Sequence, residues 1–290
     1  MEGGGALSEI KFSETIEVLN LKERFPYSSN HAKLLNIDAF TMNLYDSWFF
    51  YENNFYYFKK RKAQDLINHL LAERIAKEYE LPVIHFIPAV FNGHSGLASL
   101  NFRQSSKAYI YGDNDLFPFE GILANLSFIE KFFKTPSFYQ LFLKKFFDLI
   151  SFHIYLGLGD ICSYNLLFEK EREGIKIAPI YDFDGCFETP LSPYYRYVSD
   201  FGRFILPTPI FYKKKAIKTD ERNDLKNFET LLQLYPDFRT SLLKILDVSV
   251  EKIIEEVEKF LDFSFSDDLF EHYIEQDDIK KDIIRDLKLK

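Results

Sequence analysis

The feature of this sequence that most constrains its fold is a change of pattern about one third of the way along the chain. Before the change, two segments typical of β-hairpins flank one amphipathic helix, and after it long helical patterns dominate. With 290 residues, of which 47% are hydrophobic, the chain is long enough to fill two cores. We therefore predict an α+β protein of two lobes, with a sheet and a helix in residues 1–104 and a mainly helical lobe in residues 105–290.

The first lobe is predicted from local patterns that follow one another closely. Aromatic residues on both sides of Asn53-Asn54 favour a hairpin, and apolar residues at three- and four-residue spacing up to Glu80 favour a helix that ends before Pro82. A second pair of β-rich runs is separated by Asn-Gly-His-Ser-Gly. The predicted order is a hairpin of Trp48–Tyr51 with Phe55–Lys59, a helix over Leu66–Glu80, and a hairpin of Val83–Phe91 with Leu97–Phe102. We expect the sheet to be antiparallel.

The second lobe is predicted to contain a long central helix, a short hairpin and several further helices. The central helix covers Phe138–Tyr155, and Pro190–Pro209 has the aromatic and proline content of a loop region. The remaining segments are the short strands Asn165–Glu169 and Ile175–Ile180 and the helices Asn223–Tyr235, Pro236–Leu246, Val250–Phe260 and Glu275–Leu289.

Composition excludes some classes of protein. Thirty-six Lys and Arg against 44 Asp and Glu give a formal net charge of −8, which argues against an electrostatic nucleic-acid binder. Cys162 and Cys186 have neither CxxC nor zinc-site spacing, so we expect free thiols in a reducing compartment, the cytoplasm, with export as an effector left open. No signal-peptide pattern is present, and charged residues interrupt the apolar stretch Phe138–Tyr155, so we expect no membrane span.

Three residues of the second lobe have the order and spacing that phosphoryl transfer requires. Asp160 precedes Asn165 by five positions, and Asp182 follows the short predicted hairpin. Transfer from ATP needs a carboxylate that orients or deprotonates the attacking hydroxyl group, and it needs oxygen ligands for Mg²⁺. One loop can present Asp160 and Asn165, and the hairpin then returns the chain to bring Asp182 beside them.

These residues, with the segments around them, resemble the HipA-like kinases, relatives of the Ser/Thr protein kinases and phosphatidylinositol kinases. The resemblance rests on Gly159-Asp160 with Asn165, on the run Ile177–Asp182, and on Ala72–Pro82 before the second hairpin. It implies a two-lobed protein-kinase-like fold that binds ATP and Mg²⁺ between its lobes. It also implies transfer of the γ-phosphoryl group to a Ser or Thr hydroxyl of a protein substrate, which the sequence does not identify.

The resemblance assigns roles to single residues. Asp160 would be the catalytic base, Asn165 a Mg²⁺ ligand and Asp182 the principal Mg²⁺ ligand, with Asp184 as its alternative. The catalytic loop departs from the family pattern, because Ile161-Cys162 follows Asp160 where the family commonly has Arg-His.

Further residues would contact the nucleotide. The strand lysine that binds the phosphates would be Lys59, with Lys60 as its competitor, since alternate strand residues face opposite sides. Ser29, in the polar segment Ser28–Lys33, lies where a phosphate-covering loop is expected, although glycines are missing there. We expect autophosphorylation, if it occurs, on Ser28 or Ser29. Phe102, at the end of the second hairpin, completes the predicted set.

The lysine of a kinase is held by a carboxylate on the helix that follows it. The position expected for that carboxylate is occupied by His69, and Glu73 lies one turn further along the same helical face. We therefore predict that Glu73 replaces the missing partner. The alternative leaves Glu73 in solvent and His69 as a packed or surface histidine.

Two other functions stay open. A lipid or small-molecule kinase would keep the same site, because Leu156–Asp160 and Tyr181-Asp182 also resemble lipid kinases. A pseudokinase, which binds nucleotide but transfers weakly, is favoured by the missing glycines and by His69 in place of a carboxylate. The presence of Asp160, Asn165 and Asp182 counts against it.

Overall fold

A computed structural model describes the protein over residues 17–21, 46–52, 54–59, 63–100, 102, 129–157, 168–183, 185–187, 210–212, 215–217, 232–262 and 264–286. The chain divides into two compact units, each built from separate segments. Unit 1 comprises Met1–Arg74, Ile84–Lys107 and Val250–Phe270, and unit 2 comprises Ile75–Val83, Ala108–Ser249 and Glu271–Lys290. Strands and helices are numbered below in chain order over the described residues.

Unit 1 contains a five-stranded sheet in the order β1-β4-β5-β3-β2. The pairs β2–β3, β3–β5 and β4–β5 are antiparallel, as predicted, whereas β1 pairs with β4 in parallel. Strand β1 was not predicted, because its three residues are too few to show the alternation of apolar and polar residues that is typical of a strand. The strands are β1 (Leu19–Leu21), β2 (Asp46–Tyr51), β3 (Asn54–Lys59), β4 (Phe86–Phe91) and β5 (His94–Leu100).

The turn between β4 and β5 is tighter than the sequence analysis predicted. Asn92 and Gly93 have φ angles of +51° and +76°, the left-handed conformation that a two-residue hairpin turn with the twist of its strands requires. The residues His94 to Gly96, predicted as turn, therefore belong to β5 and pair with Phe91 to Ala89 of β4.

The core of the sheet is formed by buried residues from all five strands. Phe49 packs edge to face on Phe58 at 5.9 Å and on Phe91 at 4.8 Å between ring centroids. Such aromatic pairs stabilise a core beyond the area that they bury. The buried members of this cluster are Leu19, Leu21, Phe49, Phe58, Ala89 and Ala98.

Helix α1 (Ala63–Glu78) follows β3, so the predicted order of hairpin, helix and hairpin is confirmed. Its apolar positions Leu66, Ile67, Leu70 and Leu71 are at most 2% exposed, as the three- and four-residue spacing predicted.

The central element of unit 2 is helix α2 (Pro136–Leu156). Pro136 suits the first helical position, and Gly157 ends the helix in the left-handed conformation with φ of +67°, where its N–H bonds the carbonyl oxygen of Ile154. The second half of α2 is buried throughout, and Phe147 stacks on Phe238 of the next described helix, α3 (Pro236–Leu243), at 5.2 Å.

The other described elements partly agree with the prediction. Helix α3 is shorter than predicted, because Lys244–Asp247 tightens into a 3₁₀ turn, and helix α5 begins eight residues before the predicted Glu275. Most of Pro190–Pro209 and Asn223–Tyr235 lies outside the described residues. Among the described helices, none is long and apolar enough to cross a membrane. The remaining elements are β6 (Phe168–Lys170), β7 (Ile175–Ile177), β8 (Ile210–Tyr212), β9 (Lys215–Ile217), α4 (Val250–Leu261) and α5 (Asp267–Asp286).

Candidate functional site

Lys59, the predicted phosphate-binding lysine, is the last residue of β3 and only 6% exposed. It pairs with Leu97 of β5, beside Gly96. A Cβ atom at Gly96 would lie 2.5 Å from the carbonyl oxygen of Lys59 and 2.6 Å from the ring of Phe58, distances that side-chain carbons do not tolerate. Glycine at position 96 therefore allows β5 to approach the end of β3 closely, which helps to fix where Lys59 lies.

The ammonium group of Lys59 is bonded to His69 on helix α1. The Lys59 Nζ lies 3.0 Å from His69 Nε2, and His69 Nδ1 lies 2.8 Å from the carbonyl oxygen of Asp65. A carbonyl oxygen only accepts, so Nδ1 carries the ring proton and Nε2 accepts from the lysine. His69 is 1% exposed and packs edge to face on Phe86 at 5.2 Å. His69 is therefore a packed histidine, and it also contacts Lys59 directly.

Glu73 is 1% exposed, so the alternative in which it lies in solvent is wrong. Its Oε2 accepts a hydrogen bond of 3.1 Å from the backbone N–H of Phe86, and its Oε1 accepts one of 2.8 Å from His85 Nδ1. Because a buried carboxylate must be bonded to be tolerated, these two contacts fix α1 against the start of β4. Glu73 thus holds the helix that carries His69.

Asp182 is half-buried in unit 2 and lies between two anchored residues. On one side, the N–H of Ile180 donates to the carbonyl oxygen of Pro82 at 2.9 Å, and Ile180 forms a parallel bridge with Val83. On the other side, Phe183 is fully buried and packs edge to face on Phe152 of α2 at 6.1 Å. The carboxylate that was predicted to bind metal therefore lies on a short segment whose two ends are fixed.

Several predicted site residues lie outside the described residues: Asp160, Asn165, Asp184, Lys60, Ser28 and Ser29. Phe102 is described and half-buried, and its contact with nucleotide stays a prediction. Within the described part of the chain, no three His, Cys, Asp or Glu side chains cluster in a way that would hold a metal ion. The predicted Mg²⁺ site combines Asp182 with Asn165, and Asn165 lies outside the described residues.

The contact between Lys59 and His69 was not predicted, although the sequence contained a signal for it. Asp65, His69 and Glu73 recur every four residues on α1, and their neighbours Leu66 and Leu70 are buried. Polar residues that share an apolar helix face have to find partners there. Such a row indicates a buried polar cluster and not a solvated face.

Comparison with known proteins gives structural neighbours and no sequence relatives. No family model matches the chain, and the search of curated proteins finds no match. The chain is similar to the proinflammatory kinase CtkA of Helicobacter pylori, with 16% identity, a TM-score of 0.49 and coverage of 93% of this chain and 96% of that one. It is also similar to HipA of Shewanella oneidensis, solved with HipB and operator DNA, with 13% identity, a TM-score of 0.49 and coverage of 91% and 74%.

Proposed function

We propose that this protein is a kinase that uses ATP and Mg²⁺ to phosphorylate a Ser or Thr hydroxyl of a protein. The observation that carries the proposal is the buried ammonium group of Lys59, held by His69 at the end of a strand. A buried ammonium is costly unless an anion or strong acceptors compensate it. The phosphate groups of a nucleotide are anions of the kind that such a lysine binds in kinases.

The nature of the partner supports this role. A neutral imidazole that accepts a hydrogen bond from the ammonium group of Lys59 fixes the direction in which that group points. The cluster of Lys59, His69 and Glu73 therefore orients a cation on a rigid strand, with the helix itself fixed by Glu73. Orientation before the ligand arrives is the main contribution that a protein makes to phosphoryl transfer.

The second set of roles belongs to residues of unit 2. Asp182 and Asn165 supply oxygen atoms, which suit Mg²⁺, and the ion would neutralise charge on the phosphate groups when bound. Asp160 would accept the proton of the acceptor hydroxyl group or orient that group. The fixed ends of the Asp182 segment support the metal role, because ligands for a small octahedral ion have to be held in place.

The proposal is tested by transfer of γ-labelled phosphate from ATP and by nucleotide binding with and without Mg²⁺. We expect Asp160→Asn to bind Mg²⁺ and ATP like the wild type but to lose transfer by at least about 10²-fold, the low end for a general base. Asp182→Asn should weaken Mg²⁺-dependent binding far more than Asp184→Asn. Equal turnover in wild type and Asp160→Asn would refute the assignment, and a wild type that binds but never transfers would be a pseudokinase.

The acceptor is proposed to be a protein, beginning with this chain itself. Incubation with labelled ATP followed by phosphopeptide mapping should place label on Ser28 or Ser29, where the added charge of about −1.5 to −2 would oppose the phosphates of a bound nucleotide. The Ser28→Ala, Ser29→Ala double variant is the matched control. Label that appears only on lipid or a small molecule would replace the protein acceptor with the second kind of kinase.

A further inference from the structure

Phe187 has a backbone conformation that phenylalanine rarely adopts. Its φ angle is +58°, in the left-handed region that favours glycine, and it lies five residues after Asp182. A non-glycine residue keeps such a conformation only when its surroundings impose it. The groups around Phe187 must therefore hold it in this conformation.

Two hydrogen bonds fix its backbone from different helices. The N–H of Phe187 donates to the carbonyl oxygen of Leu156, at the end of α2, at 2.9 Å. The carbonyl oxygen of Phe187 accepts from Nε2 of His272 on α5 at 3.1 Å. Since a carbonyl oxygen only accepts, His272 is the donor and carries its proton on Nε2. Both backbone polar groups of Phe187 are thus bonded to helices.

The side chain of Phe187 is fixed by the same two helices. Its ring is 2% exposed and meets Tyr155 of α2 and Tyr273 of α5 edge to face, at 6.4 Å and 5.4 Å. The Nζ of Lys280 lies 4.7 Å from the centre of the ring and 5.3 Å from that of Tyr155. Within the described part of the chain this Nζ has no hydrogen-bond partner. The side chain of Phe187 is therefore packed between α2 and α5.

The position of Phe187 is transmitted to Asp182 through a short turn. The N–H of Cys186 donates to the carbonyl oxygen of Phe183 at 3.2 Å, and Phe183, next to Asp182, packs on Phe152. This bond links the residue next to Asp182 with the residue next to Phe187, which is bonded to α5. Any shift of Phe187 has to move this turn.

We propose that helix α5 holds the Asp182 segment in place through Phe187, with His272 as the positioning residue. The functional meaning of this clamp rests on the proposed role of Asp182 as a metal ligand. Without the bond from His272, Phe187 loses one of the two contacts that maintain its left-handed backbone. The turn then opens more often, and the carboxylate of Asp182 is held less firmly.

Cys186 provides a probe of this opening that needs no nucleotide. It is fully buried within the turn, so a thiol reagent reacts with it only when the segment opens. In a Cys162→Ser background, the labelling rate of Cys186 with a soluble disulfide reagent is measured for the parent chain and for His272→Ala. Loss of one hydrogen bond should raise the rate about fivefold. His272→Gln, which keeps an N–H donor, should restore slow labelling.

The control is Arg285→Gln, which removes an exposed ion pair with Asp282 on the same helix and should leave labelling unchanged. Circular dichroism confirms that each variant is folded. In His272→Ala the affinity for ADP with Mg²⁺ should fall about fivefold, while the affinity for ADP without Mg²⁺ stays the same. His272→Gln should recover the Mg²⁺-dependent affinity.

Unchanged labelling in His272→Ala would overturn the clamp, whatever the protein does with nucleotide. Faster labelling with unchanged Mg²⁺-dependent affinity would overturn its role in positioning Asp182. A parent chain that shows no Mg²⁺-dependent nucleotide binding at all would refute the proposed function instead. The labelling rates would then still decide whether α5 holds the segment.

Discussion

The two units differ in whether certain buried basic side chains have hydrogen-bond partners. In unit 1, the buried side chains Lys59, His69 and Glu73 are each bonded to a partner. In unit 2, the amine of Lys280 and both ring nitrogens of His153 have no hydrogen-bond partner among the described residues. Bonded groups are held in one orientation, whereas groups buried without bonds are held neutral at a cost in stability. The comparison indicates that unit 1 orients the ammonium group of Lys59, whereas unit 2 buries the two bases Lys280 and His153 without a bonded partner among the described residues.

The pKa values of unit 2 follow from this difference. Burial lowers the pKa of Lys280 to about 7, although Cys186 and Asp277 act in the opposite direction. Burial alone lowers the pKa of His153 to about 3. Both bases are therefore neutral in the folded state over a pH range in which the unfolded chain is protonated. Stability falls as the pH decreases through each range, because the unfolded chain takes up protons that the folded protein does not.

The largest effect should come from Lys280→Met, which replaces the amine with an apolar chain of similar length. A pKa that falls from 10.5 to about 7 corresponds to roughly 5 kcal/mol at about 1.36 kcal/mol per unit. We expect the variant to be more stable by up to that amount at pH 7, with the gain disappearing as the pH approaches 10.5. Urea unfolding across this range measures it. Lys281→Met is the matched control, because Lys281 pairs with Asp277 and donates to the carbonyl oxygen of Val248. This second variant should make the folded protein less stable.

Lys59→Met makes the opposite test in unit 1, because it removes a buried amine that has a partner and a proposed ligand. We expect the transfer rate to fall by about 10²- to 10³-fold, the range for loss of one oriented group that stabilises the transition state. Single-turnover transfer of labelled phosphate measures the loss. Lys252→Met, at an exposed position of α4, is the control and should transfer at the wild-type rate. Equal transfer rates in Lys59→Met and Lys252→Met would show that the buried amine of Lys59 contributes no more to transfer than an exposed one.

His153→Leu should change the acid sensitivity of unit 2. The unfolded chain protonates His153 below pH 6.5, but the folded protein does so only near pH 3. Between pH 6.5 and pH 5 the wild type should therefore lose about 2 kcal/mol of unfolding free energy through this residue, and the variant should not. Denaturant titrations at pH 7.5 and pH 5 measure the difference. His94→Leu, at the exposed first position of β5, should keep the wild-type loss.

The smallest effect should come from His85→Ala in unit 1. His85 is 69% exposed, so its bond to Glu73 is an exposed pair and should contribute less than about 1 kcal/mol to folding. Glu73→Ala should cost more, about 1–3 kcal/mol, because it leaves the buried N–H of Phe86 without its acceptor. Thermal unfolding of both variants measures the ranking. A larger loss for His85→Ala would show that the surface histidine, and not the backbone, holds the carboxylate.

Local patterns predicted the first hairpin, helix α1 and the strand character of β4 and β5, because their apolar periods are set by neighbouring residues. They also indicated Lys59 at a strand end and Glu73 on the following helix. The tighter turn at Asn92-Gly93 was obscured by a second glycine at position 96. That glycine serves a close approach between strands, which a local pattern does not contain.

The partner of Lys59 was harder to predict for a physical reason. His69 becomes an acceptor because the carbonyl oxygen of Asp65 fixes its tautomer and because β3 brings Lys59 to its other nitrogen. Neither condition is visible in residue types alone. The parallel pairing of β1 and the hold of α5 on Phe187 depend in the same way on contacts between segments far apart in the chain.

The bond between Glu73 and the backbone N–H of Phe86 has a consequence for genetics. Every amino acid except proline carries this backbone N–H, so no substitution at position 86 other than proline removes the donor. A damaging change at Glu73 therefore has no compensating change at Phe86. Suppressor mutations should instead arise at position 85 or in α1, and only Phe86→Pro should reproduce the loss of the carboxylate from the other side of the bond.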